Sequence, residues 1–581
     1  MTEQKSTRPN LSMNPRIERD RELLREARKQ GRGSILKVFV RLSGPGWLQS
    51  AITLGGGSLS SSMYLGVLVG FSFLWLQPLA MIAGIVMLSA IAYVTLSTGE
   101  RPLRAINTHI NPVLGWGWIL ASMTANIVWS MPQFSLAIAS FQQNLLPRVF
   151  GPPTLPEFGG KIAAACVILC INFTFLTLYT VGGRGVRIFE IVVKCMVGTV
   201  VLCFFGVVLT LTMSGEVDWR EYVAGFVPRL RLLSEPSPQL EPYLSEVSAV
   251  AREFWTKLIV AQQRDIMISA AATAVGINMT FLFPYSMLRK GWDRDFRGLA
   301  IFDLSTGLFF PFIAATSCVV IASAAQFHAQ PAPGFLGERD AQGQLIEPDK
   351  RLADGYGKLI EQRVRHEVGA QAFAAMSPEE KAAALDAVSL ADRRMAAMLV
   401  RRDAFHLSAA LAPLTGVTIA RFVFGLGVLG MGLGAATMLM VINSLCFCEV
   451  LNRPAKGWPQ IIGGAMTSVA LLGVLFWRDA QMWLAIPTSV FCMTLLPLAY
   501  LSFFLLMNQK RLLGKDLPRG GKRVVWNVLM AISVALAAFG SVWSIWSKAG
   551  WYGVLLIVAF TALVIAVHVY RRLQEPASAA S

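Results

Sequence analysis

Apolar runs long enough to cross a bilayer recur along almost the whole chain, and few folds accept such a pattern. A hydrocarbon core of about 30 Å takes about 20 predominantly apolar residues as an α-helix. Twelve runs approach or exceed that length, near residues 44–66, 72–97, 113–146, 160–180, 187–213, 265–288, 300–327, 407–449, 458–477, 480–507, 524–547 and 550–570. In lipid, only helices and closed barrels satisfy the backbone internally, and these runs are too long for barrel strands. The expected class is an all-α polytopic membrane protein. Only 15% of the residues are charged, against roughly a quarter in soluble domains, which argues against a string of cytosolic domains.

Charge placement sets the expected orientation. A net charge of +17 would by itself suggest nucleic acid, but the excess lies in short segments between the apolar runs. Arg101, Arg104, Arg184, Arg187, Arg289, Lys290, Arg294, Arg297, Arg453, Lys456 and the basic loop 508–523 fall on one side; Arg148, Lys161, Arg478 and Lys548 fall on the other. This asymmetry places both termini in the cytoplasm, most simply with the chain multi-pass in the cell inner (plasma) membrane. Membrane lipid and a small ion or solute are the expected partners, nucleic acid is not, and the sequence names no protein partner. The polar N-terminus does not read as a cleavable signal peptide. The eight cysteines lie inside apolar stretches and form neither a disulfide framework nor a zinc pattern.

Two spans weaken their own backbone. The first carries Gly55-Gly56-Gly57-Ser58 near its middle, and the sixth carries Gly276-Ile277-Asn278-Met279-Thr280 and then Pro284. Glycine costs about 1 kcal/mol relative to Ala inside a helix, and proline removes a ladder donor. The breaks open each set of five spans, the pattern expected of an inverted-repeat transporter with a midplane site. The chain then divides into a basic tail 1–43, a first repeat 44–213, an extracytoplasmic loop 214–264, a second repeat 265–507, two C-terminal spans 508–570 and a tail 571–581. The second repeat contains an extracytoplasmic insertion, 328–406. There, Ser377-Pro378-Glu379-Glu380 predicts a capped helix start, followed by an Ala-rich helical stretch to about Leu399.

Gly55, Gly56, Gly57, Ser58, Asn278, Met279 and Thr280 are the candidate substrate-binding residues. On span three, Asn126 and Gln133 flank Trp129 and either line a pathway or make interhelical hydrogen bonds, worth about 0.6 kcal/mol. Asp303 and Glu449, near the inner ends of their spans, read first as solvated at the interface.

Gly44-Pro45-Gly46-Trp47-Leu48-Gln49-Ser50, ahead of the Gly55 quartet, resembles the opening of the first span of the NRAMP divalent-metal transporters. That family reads Gly-Pro-Gly and then Asp-Pro-Gly-Asn at the same spacing. Arg187-Ile188-Phe189-Glu190 resembles the start of its fifth span, Ala324-Ala325-Gln326-Phe327-His328 the end of its seventh, and Phe424-Gly425-Leu426 to Gly434, ending near Glu449, its eighth. Tyr285, a further pathway candidate, falls near the Tyr after the family's Met-Pro-His. The resemblance implies a LeuT-type fold: two five-helix inverted repeats with unwound helices 1 and 6, plus two extra C-terminal helices.

The departures bear on function. The family's Asp and Asn ligands fall on Gly55 and Ser58, and its Pro on Gly56. Its Met-Pro-His falls on Thr280-Phe281-Leu282, or, with a one-residue slip, begins at Met279. Its acidic pair in the third span falls on Ala125 and Val128. If a cation is carried, Ser58, Asn278 and Thr280 with freed carbonyls are the ligands on offer, which is no confident metal site. Losing the carboxylate disfavours tight Mn²⁺ or Fe²⁺ capture and leaves a hydrated Mg²⁺ as the better-fitting cation. The Ser58–Ser62 helix start suits an amino or carboxylic acid equally well. The expectation is a secondary transporter of the NRAMP-like group that works by alternating access. Its first-choice cargo is a divalent cation, Mg²⁺ ahead of Mn²⁺ or Fe²⁺. A small organic solute is the alternative, and a transport-inactive receptor or scaffold is the reading from another class. No nucleotide loop or zinc-protease motif is present, so neither an enzyme nor a cofactor is expected.

Overall fold

The first span is two helices, α3 (Pro45–Thr53) and α4 (Gly56–Val69), preceded by α1 (Pro15–Gln30) and α2 (Arg32–Leu42). The structure is a computed structural model and describes residues 15–151, 154–181, 184–340, 342–416, 421–422, 424–476 and 481–574. Next come α5 (Leu76–Thr98), α6 (Pro112–Ala139), α7 (Glu157–Val181) and α8 (Arg184–Met213). The sixth span is again divided, into α9 (Ala249–Ala274) and α10 (Ile277–Lys290), and α11 (Arg297–Gly307) and α12 (Phe309–Phe327) come after it. The insertion contributes α13 (Lys350–Val368) and α14 (Leu390–Leu399). Then come α15 (Phe424–Val450), α16 (Ala485–Met507) and the 54-residue α17 (Gly521–Gln574), kinked at Gly550. Among the described residues 8 helices are long and apolar enough to cross a membrane by length and composition. The side chains of Arg187 and Glu190 lie outside the described part.

Several boundaries differ from the sequence reading. The sixth helix begins at Ala249, so the end of the polar segment 214–264 is the first part of α9 and carries Arg252, Glu253 and Lys257. Hydropathy misses it because the exposed Arg252, Glu253 and Lys257 interrupt the apolar pattern, while Ala251 and Trp255 on the other face are buried. The run 407–449 is not one helix: a helix over Ala404–Thr415 stops at Gly416, whose φ of 86° lies in the left-handed region, before α15 begins. Pro284 breaks nothing and sits inside a continuous α10. In the insertion, the capping box is formed: Glu380 N donates to Ser377 Oγ at 3.2 Å and Ser377 N to Glu380 Oε2 at 2.8 Å. The Ala-rich stretch is two helices rather than one, because Ser389 caps a new start by accepting from Asp392 N at 3.1 Å.

Every residue of α4 is buried, and it packs on α9 and α12. The insertion ties α9 to α4. Trp255 Nε1 donates to Asp392 Oδ1 at 2.7 Å, and that carboxylate also accepts from Arg363 Nε at 3.1 Å and Ser389 Oγ at 2.9 Å. Tyr64 Oη donates to the Arg402 carbonyl at 2.6 Å, and His328 Nδ1 lies 2.9 Å from the Val67 carbonyl. The Arg402 guanidinium, only 3% exposed, is held by the carbonyls of Phe327, Gln330 and Ala397, and burial pushes its pKa down to about 10.

The N-terminal helix α1 lies against the turn after α10. Arg21 pairs with Asp293 at 2.9 Å, and Arg25 with Asp295 at 2.9 Å. Asp303 is not solvated as its position suggested: it is fully buried and accepts from Gly44 N at 3.0 Å, Gly46 N at 2.6 Å and the Ser43 hydroxyl. It thereby binds the start of α3, where the first backbone donors have no helical partner. Gly46 permits this, since a Cβ there would lie 2.2 Å from the Asp303 carbonyl oxygen. Glu449 is not freely solvated either: its side chain is only 11% exposed, and it pairs with Arg101 at 3.0 Å.

Candidate functional site

The two helix breaks face each other. Gly55 (φ −88°, ψ −174°) and Gly276 (φ −80°, ψ 159°) are both extended, and both adopt a backbone open to any residue. Their glycines are required by space rather than by conformation. A Cβ on Gly55 would lie 2.7 Å from Ala435 Cβ, and one on Gly276 would lie 2.3 Å from the Trp129 ring. Gly56 and Gly57 belong to the first turn of α4, not to the break, and bring that turn against Gln133 and Thr273.

Between the breaks lies a cavity of about 30 Å³, lined by Thr53, Ser58, Gln133, Asn278 and Met279 together with Trp129 and Thr273. A cavity needs roughly 10–15 Å³ to hold one water, so this space takes one or two waters or a largely bare ion. Gln133 Oε1 accepts from Gly56 N at 2.8 Å, which satisfies an end donor of α4 from a neighbouring helix. Ser58 Oγ donates to the Gly55 carbonyl at 3.0 Å and toward that of Thr53, so its lone pairs stay open to the cavity. Thr53 Oγ1 donates to Gln49 O at 3.1 Å and lies 3.4 Å from Met279 Sδ.

Asn278 lines the cavity in an orientation that suits a cation poorly. Its Oδ1 accepts from Met279 N at 2.9 Å, which leaves the buried Nδ2 without a partner. The group offered to the cavity is therefore a donor. Thr280 corrects the sequence expectation more directly. Its hydroxyl points away, accepts from Trp118 Nε1 at 2.9 Å and donates to Ile277 O. Of the two registers left open, Met279 is the one whose side chain reaches the cavity. Asn126 and Tyr285 do not line it. Asn126 Nδ2 faces Asn443 Oδ1 at 3.5 Å, an interhelical contact at the limit of a hydrogen bond. Tyr285 stacks on Phe281 with centroids 4.1 Å apart. The sequence reading missed Thr53 and Thr273, ordinary hydroxyl residues within apolar runs that carry no signal without the fold. Among the described residues no group of three or more His, Cys, Asp or Glu is placed to hold a metal.

The profile of the family described as "Natural resistance-associated macrophage protein-like" matches residues 46–348 and 386–547. The chain belongs to this Nramp family. The profile omits 349–385, so α13 and the turns after it are additions to the Nramp pattern. Among curated relatives, the chain is 25% identical over 205 residues to the divalent metal cation transporter MntH of Brucella suis, covering 35% of this chain and 41% of that one. It is 29% identical over 170 residues to metal transporter Nramp2 of Arabidopsis thaliana, covering 28% of each. The match to these curated relatives thus spans less than half of their length. The fold is similar across nearly the full length of two solved structures. The manganese transporter of Eremococcus coleocola, in complex with an aromatic bis-isothiourea compound, aligns with a TM-score of 0.59 at 13% identity, covering 94% of this chain and 96% of that one. A mutant of the same transporter aligns at 0.58, covering 93% and 95%. The fold is the LeuT-type arrangement of a multi-pass membrane protein, with helices 1 and 6 broken as the two repeats require.

Proposed function

We propose that this chain is a secondary transporter, not an enzyme, that carries a divalent metal cation by alternating access around Gly55 and Gly276. The observation that carries this reading is the small cavity where the two breaks meet, walled by both repeats. Broken helices facing one cavity are how such folds hold cargo at the midplane and expose it to either side in turn. The similarity to proteins named as metal transporters supports a cation as cargo. The proposed setting is the plasma membrane with both termini cytoplasmic, supported by the alternation of basic loops.

Within that reading we propose Mg²⁺ as the favoured cation. The cavity offers hydroxyl oxygens of Thr53 and Ser58 and the Gln133 carbonyl, without a carboxylate. Neutral oxygens offset little of an ion's desolvation, so the fitting cation keeps several waters, as Mg²⁺ does. About 30 Å³ does not hold that hydrated ion, so this conformation is the closed one and loading takes place in a wider state. One observation favours Mn²⁺ instead: the Met279 thioether lines the cavity, and sulfur ligands select softer ions. An amino or carboxylic acid finds less support, since the relatives the chain resembles are named as metal transporters.

The test is uptake into proteoliposomes, with Mg²⁺ and Mn²⁺ followed by separate indicators. Saturable Mg²⁺ flux that survives Met279→Leu and falls with Ser58→Ala supports the Mg²⁺ reading. Mn²⁺ flux abolished by Met279→Leu supports the other. Neither ion moving, in protein whose thermal unfolding is intact, overturns cation transport.

A further inference from the structure

We propose that the loop joining α16 to α17 is a binding site for an anionic phospholipid of the membrane leaflet it meets. Residues 508–523 hold Lys510, Arg511, Lys515, Arg519, Lys522 and Arg523 against one acid, Asp516. That acid is already occupied, because Arg297 Nη1 pairs with Asp516 Oδ1 at 3.1 Å. Lys510, Lys515, Arg519, Lys522 and Arg523 form no ion pair with a carboxylate among the described residues. The loop does more than mark topology, because it borders an open cleft of about 380 Å³ whose lining includes Lys510, Gly514, Arg519, Gly520 and Arg523. Arg523 Nη2 donates to Asn508 Oδ1 at 3.2 Å, which fixes one cation of the cleft in place.

A second observation commits the site to a lipid rather than a free phosphate. The first turns of α17 present Val524, Val528, Ile532 and Leu536 outward, at 62%, 51%, 50% and 39% exposure. Four-residue spacing sets them on one slowly turning stripe that starts at the cleft and runs into the membrane. A cationic cleft at the interface with an apolar stripe beneath it matches a phosphate headgroup and its acyl chains. A soluble phosphate would use only the cleft. Basic clusters beside a membrane span attract anionic headgroups, with a contribution equivalent to about fivefold in affinity per Lys or Arg.

The experiment is native mass spectrometry on the full chain in detergent, with dioleoyl phosphatidylglycerol and dioleoyl phosphatidylcholine offered at equal concentration. The native chain should retain the anionic lipid preferentially, and K510Q/R519Q should reduce that preference by up to roughly 25-fold. R453Q/K456Q, in a different inner loop, should leave it unchanged. Equal retention of the two lipids by the native chain, or an undiminished preference in K510Q/R519Q, overturns the proposal. Glycerol phosphate is the competitor that separates the sources: displacement of phosphatidylglycerol at equal concentration would assign the cleft to a soluble phosphate and refute a lipid site. Should the double variant fail to fold, raising the ionic strength on the native chain asks the same question, because screening must weaken the preference. Preference unaffected by salt counts against the site.

Discussion

Asp303→Asn removes one negative charge from the start of α3 while changing almost no volume. Its carboxylate accepts from Gly44 N at 3.0 Å, from Gly46 N at 2.6 Å and from the Ser43 hydroxyl, and so holds the start of α3 against α11. Hydrogen bonds to a charged group are worth about 1.5–3 kcal/mol each, and a negative charge at a helix N-terminus adds up to about 2 kcal/mol when partly buried. Asn keeps one acceptor but turns an NH₂ group toward an N–H donor. When the start of α3 undocks, the released amides are rehydrated, so only part of that sum is lost. A net cost of about 2–4 kcal/mol to the docked start of α3 results, which is roughly a thirty- to several-hundredfold shift in its undocked-to-docked ratio. Hydrogen–deuterium exchange in nanodiscs reads this directly. The peptide covering Ser43 to Thr53 should exchange faster by the same factor in Asp303→Asn, with α16 unchanged as an internal control. Unaltered protection of Gly44 and Gly46 would refute the idea that the carboxylate latches α3.

Gly276→Val should abolish flux while leaving folded protein, because its Cβ would meet the Trp129 ring at 2.3 Å and displace a ring held by Ser489 at 3.0 Å; uptake and thermal unfolding together check this. Overpacking of this kind costs about 1–3 kcal/mol. Thr280→Val should lower the unfolding midpoint through the loss of a buried acceptor for Trp118 Nε1, at a cost of about 1–3 kcal/mol, but should leave cation selectivity unchanged, since Thr280 lies outside the cavity. His328 is partly buried beside the Val67 carbonyl, and desolvation lowers its pKa below the ordinary 6.5 despite the hydrogen bond to that carbonyl and the charge of Glu221, which both raise it. The unfolded chain then binds the proton first, so the stabilisation is complete above about pH 6.5 and is lost as the pH falls. The unfolding midpoint should fall between about pH 7.5 and about 5.5, and less so in His328→Gln.

Fold class and the places where the helices break were legible from residue order. Runs of apolar residues leave the backbone no choice but helix in lipid, and the two interruptions at Gly55 and Gly276 stand out against that background because nothing in a bilayer favours them. The capping box at Ser377 was legible for the same local reason, as its two hydrogen bonds join residues three apart. What periodicity and propensity leave undecided is which way a polar group points. Ser58, Asn278 and Thr280 were equivalent oxygen donors on paper. In the fold, Thr280 turns to Trp118, Asn278 spends its oxygen on Met279 N and shows its NH₂, and of the three Ser58 alone keeps lone pairs on the cavity. Asp303 looked like a solvated interfacial acid until the packing of α3 on α11 enclosed it. Helix formation is a matter of neighbours along the chain, and residue order records it. Ligand geometry depends on partners tens to hundreds of residues away, such as Gln133 on Gly56 and Asp303 on Gly46, and the packing of whole helices is what brings them together.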